Sequence, residues 1–161
     1  MANDGSLASL VEAWIVTQIK AIAEIPADNV EVFEGTTSPT GDQLIREFTA
    51  NRSPYVTVLF EGDVPKALEE GEQAYDPTYA IYIVVQNARP GAARKGDGDT
   101  AGTNLMRDRL RNALHNQFPK QSANGYYTDN TEFRGVQIVF QRKNAFIMRA
   151  EVVVRETPTA I

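Results

Sequence analysis

Apolar residues recur at three- and four-residue spacing near the start of the chain: Leu7, Leu10, Val11, Trp14, Ile19 and Ile22, with Lys20 and Glu24 off that stripe. That period predicts an amphipathic helix with Trp14 facing the core. Ser9-Leu10-Val11-Glu12 has the form of a capping box, Ser6 offers a cap one turn earlier, and Pro26 marks the helix limit. Asn29 to Phe33 then alternates Val30 and Val32 with Glu31, a short strand. Gly35 to Gly41 has loop composition, and Thr40 with Gln43 caps a short helix bearing Leu44, Ile45 and Phe48.

Two stretches are apolar on both faces. Tyr55-Val56-Thr57-Val58-Leu59-Phe60 follows Pro54, and Tyr79-Ala80-Ile81-Tyr82-Ile83-Val84-Val85 follows Pro77. Such strands belong inside a sheet, covered on either side. Between them, Glu61 to Asp76 reads as a long acidic loop, of a length that is uncommon inside a compact domain and often functional or mobile. A glycine-rich connection, Asn87 to Gly98, follows the second strand. Asp99 or Thr100 is then placed to cap a helix whose stripe is Leu105, Met106, Leu110, Ala113, Leu114 and Phe118, ended by Pro119. Residues 120–131 read as a polar loop with a turn at Asn124-Gly125. The chain closes with a hairpin, Val136–Phe140 and Phe146–Val154 around Arg142-Lys143-Asn144. Alternation in the last strand puts Ile147, Arg149, Glu151 and Val153 on one face. Phe146, Met148, Ala150, Val152 and Val154 lie on the other, which is buried. Residues 156–161 read as a loose tail.

The resulting order is α-β-α-β-β-α-β-β. Most consecutive strands have no helix between them, which predicts an α+β fold: a single, mostly antiparallel but mixed sheet of about five strands with helices packed mainly on one face. The other face is then either solvated or covered by a partner. At 161 residues the chain fits one domain, 1–161, with a folded core over 7–155 and short flexible termini.

Charge changes the picture more than composition does. Hydrophobic residues are an ordinary 42% of the chain, and there is no cysteine, which removes disulfides, thiolate metal sites and a cysteine nucleophile. No apolar run is long enough to cross a bilayer, and Met1 to Ser6 lacks the basic region of a signal peptide. The net charge of −5 argues against sequence-specific nucleic-acid binding. Residues 1–80, however, hold 14 acidic and 4 basic side chains, and residues 81–161 hold 7 acidic and 12 basic. Either the two halves form opposite faces that let copies stack head to tail, or they interleave in the fold and the asymmetry disperses.

The candidate chemistry is thin. Gly91-Ala92-Ala93-Arg94-Lys95-Gly96 has the glycine spacing of a phosphate loop, but Asp97 stands where the motif needs its lysine. A flexible connector is the plainer reading. Asp97, Asp99, Gly102 and Asp108 have part of the spacing of a calcium loop, with Ala101 and Leu105 at ligand positions. The one histidine, His115, has no cysteine to share a zinc ion with, and no Gly-x-Ser-x-Gly elbow accompanies it. Neither catalytic residues, a metal nor a cofactor is expected. What remains is two charged loop clusters of opposite sign: Glu69, Glu70 and Glu72 in one, and Arg89, Arg94 and Lys95 in the other. These six are the candidate protein-interface residues.

The succession of the N-terminal amphipathic helix, the strand Tyr79–Val85, the Gly-rich loop, the helix Asn104–Phe118 and the hairpin Val136–Arg155 resembles the tail terminator proteins of Mu-like and other long-tailed bacteriophages. The resemblance covers about Leu7 to Arg155 and lies in the order of elements, not in an invariant motif. It implies a virion tail protein, assembled in the host cytoplasm, whose protomers close into a homo-oligomeric ring, commonly a hexamer. Such a ring caps the tail tube protein, ends its polymerisation and offers a surface to the head or neck connector protein. The nearest alternative is a head–tail connector or tail-completion protein. The alternative from another class is a small carboxylate- or metal-dependent hydrolase working through Asp97 and Asp99.

Overall fold

The computed structural model describes residues 5–35, 39–47, 53–65, 75–86, 90–96, 102–142 and 145–159. Helix α1 (Leu7–Lys20) starts where Ser6, not Ser9, acts as the cap. The Ser6 hydroxyl accepts from the Ser9 backbone N–H at 3.2 Å, which satisfies one of the donors a helix start leaves open. Leu7, Val11, Ile15 and Ile19 form its buried line. The helix ends at Lys20, well before Pro26, and Ile22 and Ile25 stay buried beyond it without helical backbone.

Strand β1 (Val30–Val32) and helix α2 (Gly41–Glu47) follow, the latter capped by the Thr40 hydroxyl, which accepts from the Gln43 N–H at 3.1 Å. Then come β2 (Tyr55–Pro65), β3 (Tyr75–Gln86), helix α3 (Pro90–Lys95), helix α4 (Thr103–Leu114), the two-residue β4 (Ser122–Ala123), β5 (Tyr126–Arg142) and β6 (Ala145–Pro158). Among the described residues these strands make one six-stranded sheet in the order β1-β2-β3-β6-β5-β4. Only β1 and β2 run parallel; α2 connects them. Every other pair is antiparallel. This is the α+β mixed sheet the sequence predicted, with β4 as a sixth strand.

Helices α1 and α4 cover one face. Beneath them lie Val56 and Val58 of β2, Tyr79, Ile81, Ile83 and Val85 of β3, and Phe146, Met148, Ala150, Val152 and Val154 of β6, together with Met106, Leu110 and Leu114 of α4. Each fully buried aliphatic side chain here stabilises the fold by about 1.5–3 kcal/mol in transfer free energy. The opposite face is not left wholly open. Leu44 of α2 packs with Tyr55, Ala80, Tyr82, Val84 and Ile147, and Ile45 and Phe140 lean on the same cluster. Gly41 lies so close to the Phe140 ring that any Cβ there would collide with it. The chain therefore covers part of the face that the sequence left to solvent or a partner.

Several boundaries move. The acidic loop shrinks, because β2 continues through a bulge between Phe60 and Gly62 and pairs Pro65 with Tyr75. Only residues 66–74 separate the two strands. Residues 122–123 and 126–131 are strand rather than loop, around the expected Asn124-Gly125 turn. Helix α4 begins after Gly102, not at Asp99 or Thr100, and stops at Leu114, so Phe118 is exposed at 57% and Leu105 at 40%. The stretch over Gly91–Lys95 is helical, not a flexible connector. Strand β6 runs to Pro158, so the first half of the expected tail, 156–158, is paired. These polar extensions lie where hairpins pass beyond the helix-covered core. There the backbone ladder and a few side chains, Ala123 and Tyr126 against the core and the buried Thr128 and Thr131, hold the strands without a regular apolar alternation.

Candidate assembly surface

Of the six interface residues read from the sequence, Arg94 and Lys95 are described. Arg89, Glu69, Glu70 and Glu72 lie outside the described residues. Arg94 and Lys95 end α3, and both side chains are exposed and outside any ion pair among the described residues. The end of α3 is fixed by contact with the start of α4. Gly102 sits against the Arg94 carbonyl and the Gly96 nitrogen, a place only a residue without Cβ fits.

Between α3 and the sheet lies an open cleft of about 350 Å³ lined by Gly91, Arg94, Ile138, Gln141 and Phe146. Ile138 is 53% exposed although it lies opposite Met148, on the helix-covered face. A bulge follows between Ile138 and Phe140, and the extra residue, Val139, is itself 42% exposed. Further along, β5 is laced to the loop after α4. The Thr131 N–H donates to the Gln117 carbonyl at 2.8 Å, and the Thr128 N–H donates to Gln121 O at 2.9 Å. The Phe133 N–H donates to His115 Nδ1 at 3.2 Å, which gives the lone histidine a structural role. Among the described residues no element pairs with the outer edge of β5 from Arg134 to Val139.

The other end of the sheet is acidic. Pro65 and Tyr75 hold the two ends of the 66–74 connection side by side. Around them, burial pushes the Glu156 carboxyl up, and the charge of Asp63 adds to this. Burial also drives the Tyr79 hydroxyl far above its ordinary range, helped by Glu156, Glu12 and Asp63. A small polar cleft of about 70 Å³ is lined there by Asp76, Asn130, Glu132, Val153 and Arg155.

Sequence reasoning missed the ionic cluster on the α2 side of the sheet. Glu61, assigned to the acidic loop, sits in β2. It accepts from Arg149 and from the Tyr82 hydroxyl, the latter at 3.0 Å, while Arg149 also donates to Glu151 at 3.1 Å. Burial alone would lower the Arg149 pKa, but the bonds to Glu61 and Glu151 outweigh it and hold the guanidinium charged. Burial and then Glu61 push Tyr82 up. An arginine and a glutamate two apart on one face of an otherwise apolar strand were the visible signal, but their partner on β2 was not. This cluster is closed on itself, each charge answered by another.

Asp97 and Asp99 lie outside the described residues, whereas Asp108 pairs with Arg107 at 2.9 Å and Arg111 at 3.7 Å. Among the described residues no group of three or more His, Asp or Glu side chains is placed to hold a metal ion, and no helix is long and apolar enough to cross a membrane.

Scanning protein-family models gives no match, and neither does a search of curated proteins. Among solved structures, the fold is similar to a chain in the structure described as the virion of a native gene transfer agent particle. The TM-score is 0.57 at 12% identity, over 97% of this chain and 98% of that one. At that identity the likeness is one of fold.

Proposed function

We propose that this chain is a structural protein of a phage-like particle, and within it a tail terminator. In this role copies close into a ring that caps the tail tube, ends its growth and presents a docking surface to the head or neck. The observation that carries the reading is the fold shared, nearly end to end, with a chain of a gene transfer agent virion. The order of elements, read separately from the sequence, supports it in the same direction. So does the disposition of charge. Arg94 and Lys95 stand exposed at one end of the sheet, and the connection bearing Glu69, Glu70 and Glu72 leaves from the other. Arg89 joins the basic group by sequence. Opposed charges at opposite ends suit a head-to-tail contact, and such a contact closes into a ring when its rotation allows.

The test is the mass of the purified protein by light scattering at low and high salt, followed by assembly of tail tubes in its presence. A ring-sized mass that falls with salt, with tubes capped at finite length, is the expected result. Tubes that grow equally long with and without the protein would remove the terminator role. Binding to a head or neck protein alone would move it to a connector. The hydrolase alternative is tested by Asp97→Ala and Asp99→Ala: if assembly changes and no hydrolytic activity is found in the parent, that alternative is gone.

A further inference from the structure

We propose that the cleft between α3 and the β5–β6 end takes the acidic 66–74 connection of a second copy of this chain. The inference rests on the assembly reading and names the contact that would carry it. Three observations point to this occupant. The first is chemical. The cleft has an apolar floor, Phe146 and the half-exposed Ile138, and a cationic rim, Arg94 with Lys95 beside it. It suits a short peptide that pairs an aliphatic side chain with neighbouring carboxylates. The sequence of the connection, Lys66-Ala67-Leu68-Glu69-Glu70-Gly71-Glu72-Gln73-Ala74, supplies Leu68 followed by Glu69 and Glu70.

The second is geometric, and it excludes the chain's own connection. Phe146 is paired with Val85, near one end of β3, while the connection departs from Tyr75 at the other. Ten residues of strand separate these points by about 33 Å. A nine-residue connection whose ends are held together can reach no further than about 17 Å from its root, which falls short of its own cleft. Only another copy's connection reaches it. The third is directional. Cleft and connection are different surfaces, so the contact is heterologous: each copy gives one and receives one, as a ring or a filament requires.

The probe is a synthetic peptide with the sequence of residues 66–74, titrated onto the full-length, isotope-labelled chain and followed by amide chemical shifts. Saturable shifts centred on Arg94, Ile138, Gln141 and Phe146 are expected. Arg94→Glu and Ile138→Asp, both at exposed positions, should each weaken binding tenfold or more. A peptide with lysine at positions 69, 70 and 72 should not bind. Absence of saturable shifts at the cleft, or equal binding by the two variants, overturns the inference. A second measurement uses charge exchange. Arg94→Glu with Lys95→Glu, and separately Glu69→Lys with Glu70→Lys and Glu72→Lys, should each abolish self-association. All five substitutions in one chain should restore it. Peptide binding by a chain that stays monomeric keeps the cleft and removes the ring. A ring indifferent to both sets of substitutions keeps the ring and removes the cleft contact.

Discussion

The two faces of the sheet are built from alternate residues of the same strands, yet they solve different problems. On the α1–α4 face, β3 and β6 present Tyr79, Ile81, Ile83 and Val85 beside Phe146, Met148, Ala150, Val152 and Val154, an unbroken apolar surface. On the other face the same two strands present Ala80, Tyr82, Val84 and Ile147 beneath α2, and then pass to Arg149 and Glu151 with Glu61 of β2 opposite. The first face depends on close packing, and the second divides between a small apolar patch and a closed set of charges. The difference shows that burial on both sides, which the apolar runs announced, does not require the same chemistry on both sides.

The comparison is broken most heavily on the first face. Ile83 is fully buried at its centre, and Ile83→Ala is expected to cost about 3–5 kcal/mol in denaturant unfolding, through lost transfer energy and the cavity left behind. Leu44→Ala, on the patch beneath the seven-residue α2, is expected to cost less, about 2–3 kcal/mol, because a short rim helix can settle into the space. Equal losses would mean that the two faces are one cooperative core, and the division drawn here would not hold.

A smaller and chemically different effect is expected from Arg149→Met. Its stem volume is nearly kept, but Glu61 and Glu151 lose their shared cation. All three side chains retain some exposure, so the loss is set at about 2 kcal/mol near neutral pH, below that of a fully buried pair. Combining Arg149→Met with Glu61→Gln should recover part of the loss, because one of the two unpaired charges is then gone. A strictly additive double variant would show that Arg149 does not act through Glu61.

These differences also explain what the sequence made legible. Periodicity located the main helices and strands, down to which residues of β6 point inward, but it put Leu105 and Phe118 on the buried stripe of α4, where both are exposed. It failed where a polar residue was paired across the sheet. Glu61 looked like the start of a loop because Arg149 stands 88 positions away. Thr128 and Thr131 looked like loop residues too, although their hydroxyls accept the Gln121 and Gln117 N–H groups and bind the loop after α4 to β5. The cleft was half legible. Arg94 and Lys95 stood out as a basic pair, but nothing local indicates that Ile138, at the end of an alternating strand, is left uncovered where α3 stops short of it. Such a site exists only once the hairpin register places Ile138 and Phe146 beside that helix.

The smallest expected effect lies at the acidic end and concerns Glu156. Its folded-state pKa is raised, first by burial and then by the charge of Asp63. A carboxyl whose folded pKa lies above its unfolded value binds its proton more tightly when folded. Its contribution to stability is therefore fully present below the unfolded pKa and is lost as pH rises through the folded one. At neutral pH the ionised group works against the fold, so Glu156→Gln is expected to raise the unfolding midpoint there. The advantage should fade as pH drops toward the ordinary carboxylate value and the parent takes up its proton. Asp63→Asn should act in the same direction and more weakly, since it removes only the second cause. Thermal unfolding of the parent and both variants from pH 4 to pH 8 measures this. If the gain from Glu156→Gln stays constant across that range, burial of an ionised carboxylate is not its source, and the acidic end would then differ from the Arg149 cluster in packing rather than in the presence of a countercharge.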